Sequence, residues 1–330
     1  MRFLELLNLV PFAPAALLLG YILDLAIGDP EKLPHPIRWV GNLVSALEKK
    51  LRKIAGTPGR ERAAGVLLVL LTVSAVYCLT LLALFVSYEL SPILCFIVSA
   101  LFVWAGLSVK SLGAEARGVL EALDKGGIEA GRKRLSRIVG RDTGALDRKE
   151  VLRATVETVS ENTSDGVVAP LFYLAIGGPA LMMAYKAVNT LDSMVGYRNA
   201  KYKDFGWFSA RVDDAANYIP ARIAAALAVS AAFILGYNWR GSARIMLRDG
   251  GKHPSPNAGV IEAAFAGALG VRFGGSSSYG GVPSTKPFIG DAVRSFEDSI
   301  VESSIRLMGT GAFLMLLCAL AARTVAIFVL

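Results

Sequence analysis

Apolar residues run along this chain in long blocks divided by short polar stretches, and the blocks predict membrane helices. Ala64 to Ser87 carries no charge and is longer than the ~20 apolar residues that a spanning helix needs. Pro92 to Val109 is a second uncharged block, and the short YELS link before it predicts a hairpin with the link on the outer side. Basic residues beyond both far ends place those ends in the cytoplasm. Met308 to Leu330 reads as a final membrane helix interrupted by Arg323, and Ile219 to Tyr237 as an Ala-rich helix long enough to cross. Pro14 to Ile27 is apolar around Asp24; it either spans together with Phe3 to Pro11 or lies partly embedded. Met1 to Pro11 itself is short and amphipathic.

Other stretches break this pattern. Gly177-Gly178-Pro179 interrupts the apolar block Val167 to Val188, because proline removes a backbone donor and clashes with the preceding turn. Two half-helices in a re-entrant hairpin are expected there, with a kinked full span as the alternative. Gly259 to Val271 is short and carries Glu262, so it is expected to be buried rather than spanning. In Trp39 to Arg62, Val40, Leu43, Val44, Leu47 and Leu51 share one helical face. Lys49, Lys50, Arg52 and Lys53 crowd its end, which suits a helix on an anionic leaflet or a solvated cytoplasmic helix.

Lys110 to Asp165 is polar and reads as helices over Ala114–Leu123 and Ile128–Val139, then a third opened by Asp147 and Glu150 in capping-box spacing. GGSSSYGG (274–281) has the composition of a flexible loop, and Asp291 to Arg306 that of a charged surface helix. The expected fold is therefore all-α. It is a polytopic integral membrane domain over 1–330 with about four to six membrane helices, a broken or re-entrant hairpin, and a cytoplasmic helical insert at 110–165.

Composition agrees: 54% of residues are hydrophobic and 19% charged, against ~25% charged in soluble domains. The formal net charge of +8 fits cytoplasmic loops and lipid contact rather than nucleic acid. Cys78, Cys95 and Cys318 lie in apolar blocks without metal or redox spacing. With only two histidines, His35 and His253, a multi-histidine metal site is excluded.

Polar residues recur at helical spacing where a membrane chain can least tolerate them. Arg153, Glu157, Ser160, Glu161 and Ser164 share a face, followed by Asn162 and Asp165, with Gly166 expected to end the element. Lys186, Asn189, Asp192 and Ser193 form a second cluster, and Arg211, Asp213, Asp214, Asn217 and Arg222 a third. Two His-Pro units, PHPIR (34–38) and KHPSPN (252–257), add His35, Arg38, His253 and Asn257. Paired carboxylates need a cation or a proton between them, and hard oxygen ligands suit Mg²⁺ bound together with substrate phosphates. Glu157, Glu161, Asp165, Asp213 and Asp214 are the candidate metal ligands. The catalytic candidates are Glu157, Glu161, Asp213 and His253, the last as a base or a phosphate contact. Arg153, Lys186, Arg211 and Arg222 are candidates for phosphate binding, and Asn162, Asn189, Asn217 and Asn257 for orienting substrates. Neither a P-loop nor a Rossmann fingerprint is present.

GDPEKLPHPIRWVG, ETVSENTSDGVVAPLFY, NTLDSMVGYRN, FGWFSARVDDAANYIPAR and HPSPNAGVIEAAFAGALGV, in this order, resemble the cobalamin biosynthesis CobD/CbiB family over nearly the whole chain. The resemblance implies a multi-pass enzyme of the cytoplasmic membrane with its active site on the cytoplasmic side. It implies adenosylcobinamide-phosphate synthesis, in which (R)-1-aminopropan-2-ol O-phosphate or the free amino alcohol is joined to a propionate of the corrinoid adenosylcobyric acid, using ATP and Mg²⁺. Other membrane-bound enzymes of cobalamin assembly are partners the resemblance allows. The competing reading is a membrane permease for an anionic metabolite, since broken helices carrying polar residues are a transporter device.

Overall fold

The computed structural model describes residues 14–30, 35–197 and 199–329, so the expectation for Met1 to Pro11 lies outside the described residues. In chain order the elements are α1 (Pro14–Ile27), α2 (Pro36–Leu51), α3 (Pro58–Leu90), α4 (Pro92–Gly106), α5 (Val109–Leu135), α6 (Arg148–Thr163), α7 (Ala169–Val195), α8 (Trp207–Ile234), α9 (Trp239–Asp249), α10 (Ala258–Leu269), β1 (Phe273–Tyr279), β2 (Val282–Ile289) and α11 (Asp298–Val329). Among the described residues, five helical runs are long and apolar enough to cross a membrane. The chain divides into two compact units. One takes Met1–Ser108, Ala169–Asn217 and Leu316–Leu330; the other takes Val109–Val168 and Tyr218–Met315. The insert expected at 110–165 thus belongs to the second unit.

In the first unit α3 packs against α2, α4 and α7, and α1 against α4. The α1–α4 approach is close: a Cβ on Gly20 would collide with Val103 and the Ala100 carbonyl. Val40, Val44 and Leu51 of α2 meet Leu68, Val69 and Val76 of α3 and Met183, Ala187 and Leu191 of α7. The apolar face of the basic segment is therefore packed on protein rather than laid on lipid. The segment is also not one helix: α2 stops at Leu51, and Thr57 and Pro58 start α3, with the Thr57 hydroxyl capping Arg60. On its other side α3 exposes Leu67, Leu70, Leu71, Leu79, Leu82 and Phe85. Only 28% of its most apolar window is buried inside the protein, so lipid is the solvent for the rest. The expected hairpin with α4 forms, and Ser91 alone links the helices and caps Ile93.

Within α7 the backbone breaks at Gly177 and Gly178, the latter at φ 68° and ψ −166°. In an unbroken helix Tyr173 and Tyr185 would stand ~18 Å apart; instead their rings stack with centroids 5.0 Å apart. The chain folds back on itself, as the hairpin reading requires. Gly127 in α5 repeats the device at φ 71° and ψ −167°. There Gly131 returns against Leu123, and Arg134 pairs with Glu115 at 2.9 Å.

Three expectations change in the second unit. Gly166 does not end the helix that begins at Arg148; the helix widens into a π turn over Ser164–Val168 that leads into α7. GGSSSYGG is not a loop but most of β1, paired antiparallel with β2. The two glycines at the turn explain this: Gly280 and Gly281 take φ 59° and 80°, the positive angles a two-residue hairpin turn demands. Residues 291–297 are not helical, and the charged stretch from Asp298 is the start of α11, continuous with the last membrane helix. The fold is thus helical with one small sheet. Two expectations hold: α10 is buried along nearly its whole length, and Asp147 and Glu150 form the capping box, with bonds of 2.8 and 3.3 Å.

Gly178 tests the hairpin. Among the described residues a Cβ there meets nothing within 4 Å, so Gly178→Ala isolates the backbone cost, ~1–3 kcal/mol for a conformation open almost only to glycine. Thermal unfolding in detergent is expected to show a lowered midpoint; an unchanged one contradicts the hairpin geometry.

Candidate functional site

The second unit gathers its polar side chains around Glu157 of α6. Arg141, on the loop before α6, donates from Nη2 to Glu157 Oε2 at 2.6 Å. The amide of Gly274 in β1 donates to Glu157 Oε1 at 3.1 Å. Both members of the ion pair are buried, with side chains 9% and 7% exposed. The neighbouring Asp142 holds the tip of the β-hairpin: its carboxylate accepts from Ser278 Oγ at 2.6 Å, Gly280 N at 3.1 Å and Gly281 N at 2.8 Å. A carboxylate of the protein itself thus occupies the backbone amides at the turn of the Gly-rich run.

Glu262 of α10 and His253, on the loop before α10, complete the cluster, with His253 Nε2 4.0 Å from Glu262 Oε1. Burial pushes the Glu262 carboxyl well up, and the charges of Glu157 and Glu161 add to this against Lys286 and Arg141. Burial and the cation of Lys286 hold His253 down at about 4, so its ring is neutral near pH 7. Burial weakens the charged form of Arg141, but the Glu157 carboxylate outweighs that and raises it. The site is therefore a low-dielectric cluster with a fixed ion pair and a neutral imidazole. His253 also lines a cleft of about 540 Å³ with Arg222, Gly250, Gly251, Pro254 and Pro256.

A separate cluster lies in the first unit. On α8, Asn217 Nδ2 donates to Asp213 Oδ2 at 3.0 Å, and Tyr185 on the returning arm of α7 donates to Asn217 Oδ1 at 2.7 Å. Asp213 stands close to Asp192 and Asn189 of α7 and to Asp214, and among the described residues its buried Oδ1 has no hydrogen-bond partner. Two sequence clusters thereby become one. Neighbouring carboxylates and a buried carboxylate oxygen are hard donors of the kind Mg²⁺ takes, while Asn217 turns its Nδ2 to Asp213 and its Oδ1 to Tyr185. No group of three or more His, Cys, Asp or Glu side chains with metal-binding geometry occurs among the described residues, so substrate oxygens would have to complete the coordination.

The remaining candidates scatter. Arg222 leaves the Asp213 cluster: nine residues along one helix turn it to the opposite face, where it lies 3.5 Å over the Tyr218 ring. Arg153 is half-buried beside Gly275 and 3.8 Å from Glu150. Glu161 and Arg211 are exposed, Ser164 and Lys186 buried, and Asp165 and Asp214 half-buried. Asn162 and Ser193 bond back to their own helices, at Thr158 and Asn189. His35 lies 3.4 Å from Asp29 and edge-on to Trp104 in the first unit, and Arg38 donates to the Pro30 carbonyl. Asn257 is buried at the start of α10. Sequence reading missed Arg141, Glu262 and Lys286 as site residues. Glu262 carried a signal, being the lone charge in an apolar run; the loop residue Arg141 carried none.

Long apolar helices with lipid-facing sides and two buried polar clusters define a multi-pass helical membrane protein. The sequence profile described as CobD/Cbib protein matches residues 17–308, and the chain belongs to that family. Similar curated proteins, each named "Cobalamin biosynthesis protein CobD", include one from Pelobacter propionicus, 50% identical over 89% of this chain and 90% of its own. Others come from Geobacter metallireducens, 49% identical over 93% and 96%, and Clostridium perfringens, 46% identical over 94% and 98%. No solved structure matches the chain.

The Asp142 contact makes a local prediction. Its hydrogen bonds with Ser278, Gly281 and Gly280 hold its carboxyl below the ordinary range. The contribution is thus present above the unfolded carboxylate value and lost as pH falls through the lowered folded value. Asp142→Ala is expected to speed amide exchange at 279–282 near neutral pH and to leave α6 protected. In the wild type, acid is expected to do the same after correction for intrinsic rates. Unchanged exchange at the tip contradicts the contact.

Proposed function

We propose that this membrane protein acts in cobalamin biosynthesis as an adenosylcobinamide-phosphate synthase. It joins (R)-1-aminopropan-2-ol O-phosphate, or the free amino alcohol, to a propionate carboxylate of adenosylcobyric acid at the expense of ATP. The observation that carries this reading is the likeness to proteins named for cobalamin biosynthesis along nearly the full length of both chains. The two buried polar clusters support it, because an amide ligation needs groups that bind phosphates, hold a carboxylate and accept an amine proton. The enzyme sits in the cytoplasmic membrane with these groups on the cytoplasmic side, where ATP is available.

The chemistry requires the carboxylate to be activated, most simply as an acyl phosphate with ADP leaving; the amine then attacks and phosphate departs. Asp213 and Asp192 are the residues that would hold Mg²⁺, with Asn189 and Asn217 orienting the Asp213 carboxylate. Bound there, the ion would neutralise charge on the transferring phosphoryl group. The Arg141–Glu157 pair fixes the second cluster. In that cluster Glu161 would take the proton of the attacking amine, and Arg222 and Lys286 would supply cationic charge to anionic substrates.

Detergent-purified protein incubated with adenosylcobyric acid, the amino alcohol phosphate, ATP and Mg²⁺ is expected to yield the amide by mass spectrometry. Asp213→Asn is expected to lower turnover at least ~100-fold, the scale of losing an electrostatic group from a site, with the unfolding midpoint retained. Folded wild-type protein that forms no amide refutes the reading.

A further inference from the structure

We infer that His253 works as a fixed hydrogen-bond donor, through Nε2–H, to an anionic oxygen of substrate (phosphoryl or carboxylate), and that it is not the general base. The inference deepens the ligase reading and rests on it for the identity of the substrates.

A neutral imidazole donates from one nitrogen and accepts at the other. The Ser255 amide donates to His253 Nδ1 at 3.0 Å, so Nδ1 holds the lone pair and Nε2 the proton. Pro254 and Pro256 stand on either side of Ser255, restricting the backbone that aims this amide. Accepting a substrate proton at Nε2 would require moving the ring's own proton to Nδ1, where it would meet the Ser255 N–H head-on. The loop is thus built for a donor.

That donor has no partner among the described residues. Nε2 is buried and makes no hydrogen bond, although the side chain is only 7% exposed. Glu262 Oε1, at 4.0 Å, is beyond hydrogen-bond reach. Buried polar groups are nearly always satisfied, and an exception calls for a ligand or a function. The surroundings favour an anion: Lys286 is near enough to weaken protonation of the ring. Arg222 lines the same cleft as His253, committing Nη1 to the Tyr218 carbonyl while a guanidinium has five donors in all. The acidic groups facing the ring are Glu157, whose charge is paired with Arg141, and Glu262, whose carboxyl burial pushes well up toward the neutral form.

The chain has only two histidines, so full-length protein labelled with ¹⁵N-histidine gives a simple spectrum in detergent, assigned with His253→Gln. The neutral Nε2–H form is expected for His253, and its Nε2 signal is expected to move on adding either inorganic phosphate or adenosylcobyric acid. Phosphate alone identifies a phosphoryl acceptor, and the corrinoid alone a carboxylate. In turnover, His253→Gln, which keeps an N–H near Nε2 without basicity, is expected to stay within ~10-fold of wild type while His253→Ala falls ~100-fold or more, the scale of a lost group at a reacting centre. The proton on Nδ1, an Nε2 signal that moves with neither compound, or His253→Gln as inactive as His253→Ala overturns the inference. Wild-type turnover separately tests the ligase reading, and the tautomer read from the spectra does not depend on it.

Discussion

Two opposite charges taken out of water depend on each other, and in the second unit that dependence is the pair Arg141–Glu157. Neither side chain has enough solvent to stand alone, and the Gly274 amide occupies the other carboxylate oxygen. A loop, a helix and a strand are thereby tied at one point. A buried ion pair adds little net stability over an apolar core, but removing one partner strands the other and is costly. The worth of this pair lies in placement. It fixes a negative charge beside Glu262, and the loop that carries Arg141 also carries Asp142, which holds the hairpin turn.

The membrane sets the other constraint. Backbone groups must be satisfied inside each segment, so the chain reverses direction through helical hairpins rather than long loops. Gly178 makes this reversal in the apolar block, and Gly127 uses the same backbone conformation in the polar segment after α4. The reversal at Gly178 brings Tyr185 back against Tyr173, and both hydroxyls then bond to α8, at Asn217 and at the Ala216 carbonyl. A hinge in the apolar block thus orders the cluster that holds Asp213.

Much of this was legible in the sequence because the signals are local. An uncharged run, a Gly-Gly-Pro break and a capping box each declare themselves within a few residues, and the Asp213–Asn217 bond follows from i,i+4 spacing. What was missed depends on distant partners. The serines of β1 look like a linker until β2 pairs with them and Asp142 caps the turn. Glu157 reads as an open ligand until Arg141 arrives from a loop with no periodicity. Arg222 seemed to belong with Asp213 because they are near in sequence, although half a turn of helix phase separates them. Helix phase would have found that error, and the lone charge in an apolar run would have found Glu262.

The measurement that tests the account most directly is a double-mutant cycle of Arg141→Gln and Glu157→Gln, read by denaturant unfolding in detergent. Each single change is expected to cost ~3–5 kcal/mol, because it strands a buried charge, and the double change clearly less than the sum. Costs that add within ~0.5 kcal/mol, as independent sites do, would contradict the account.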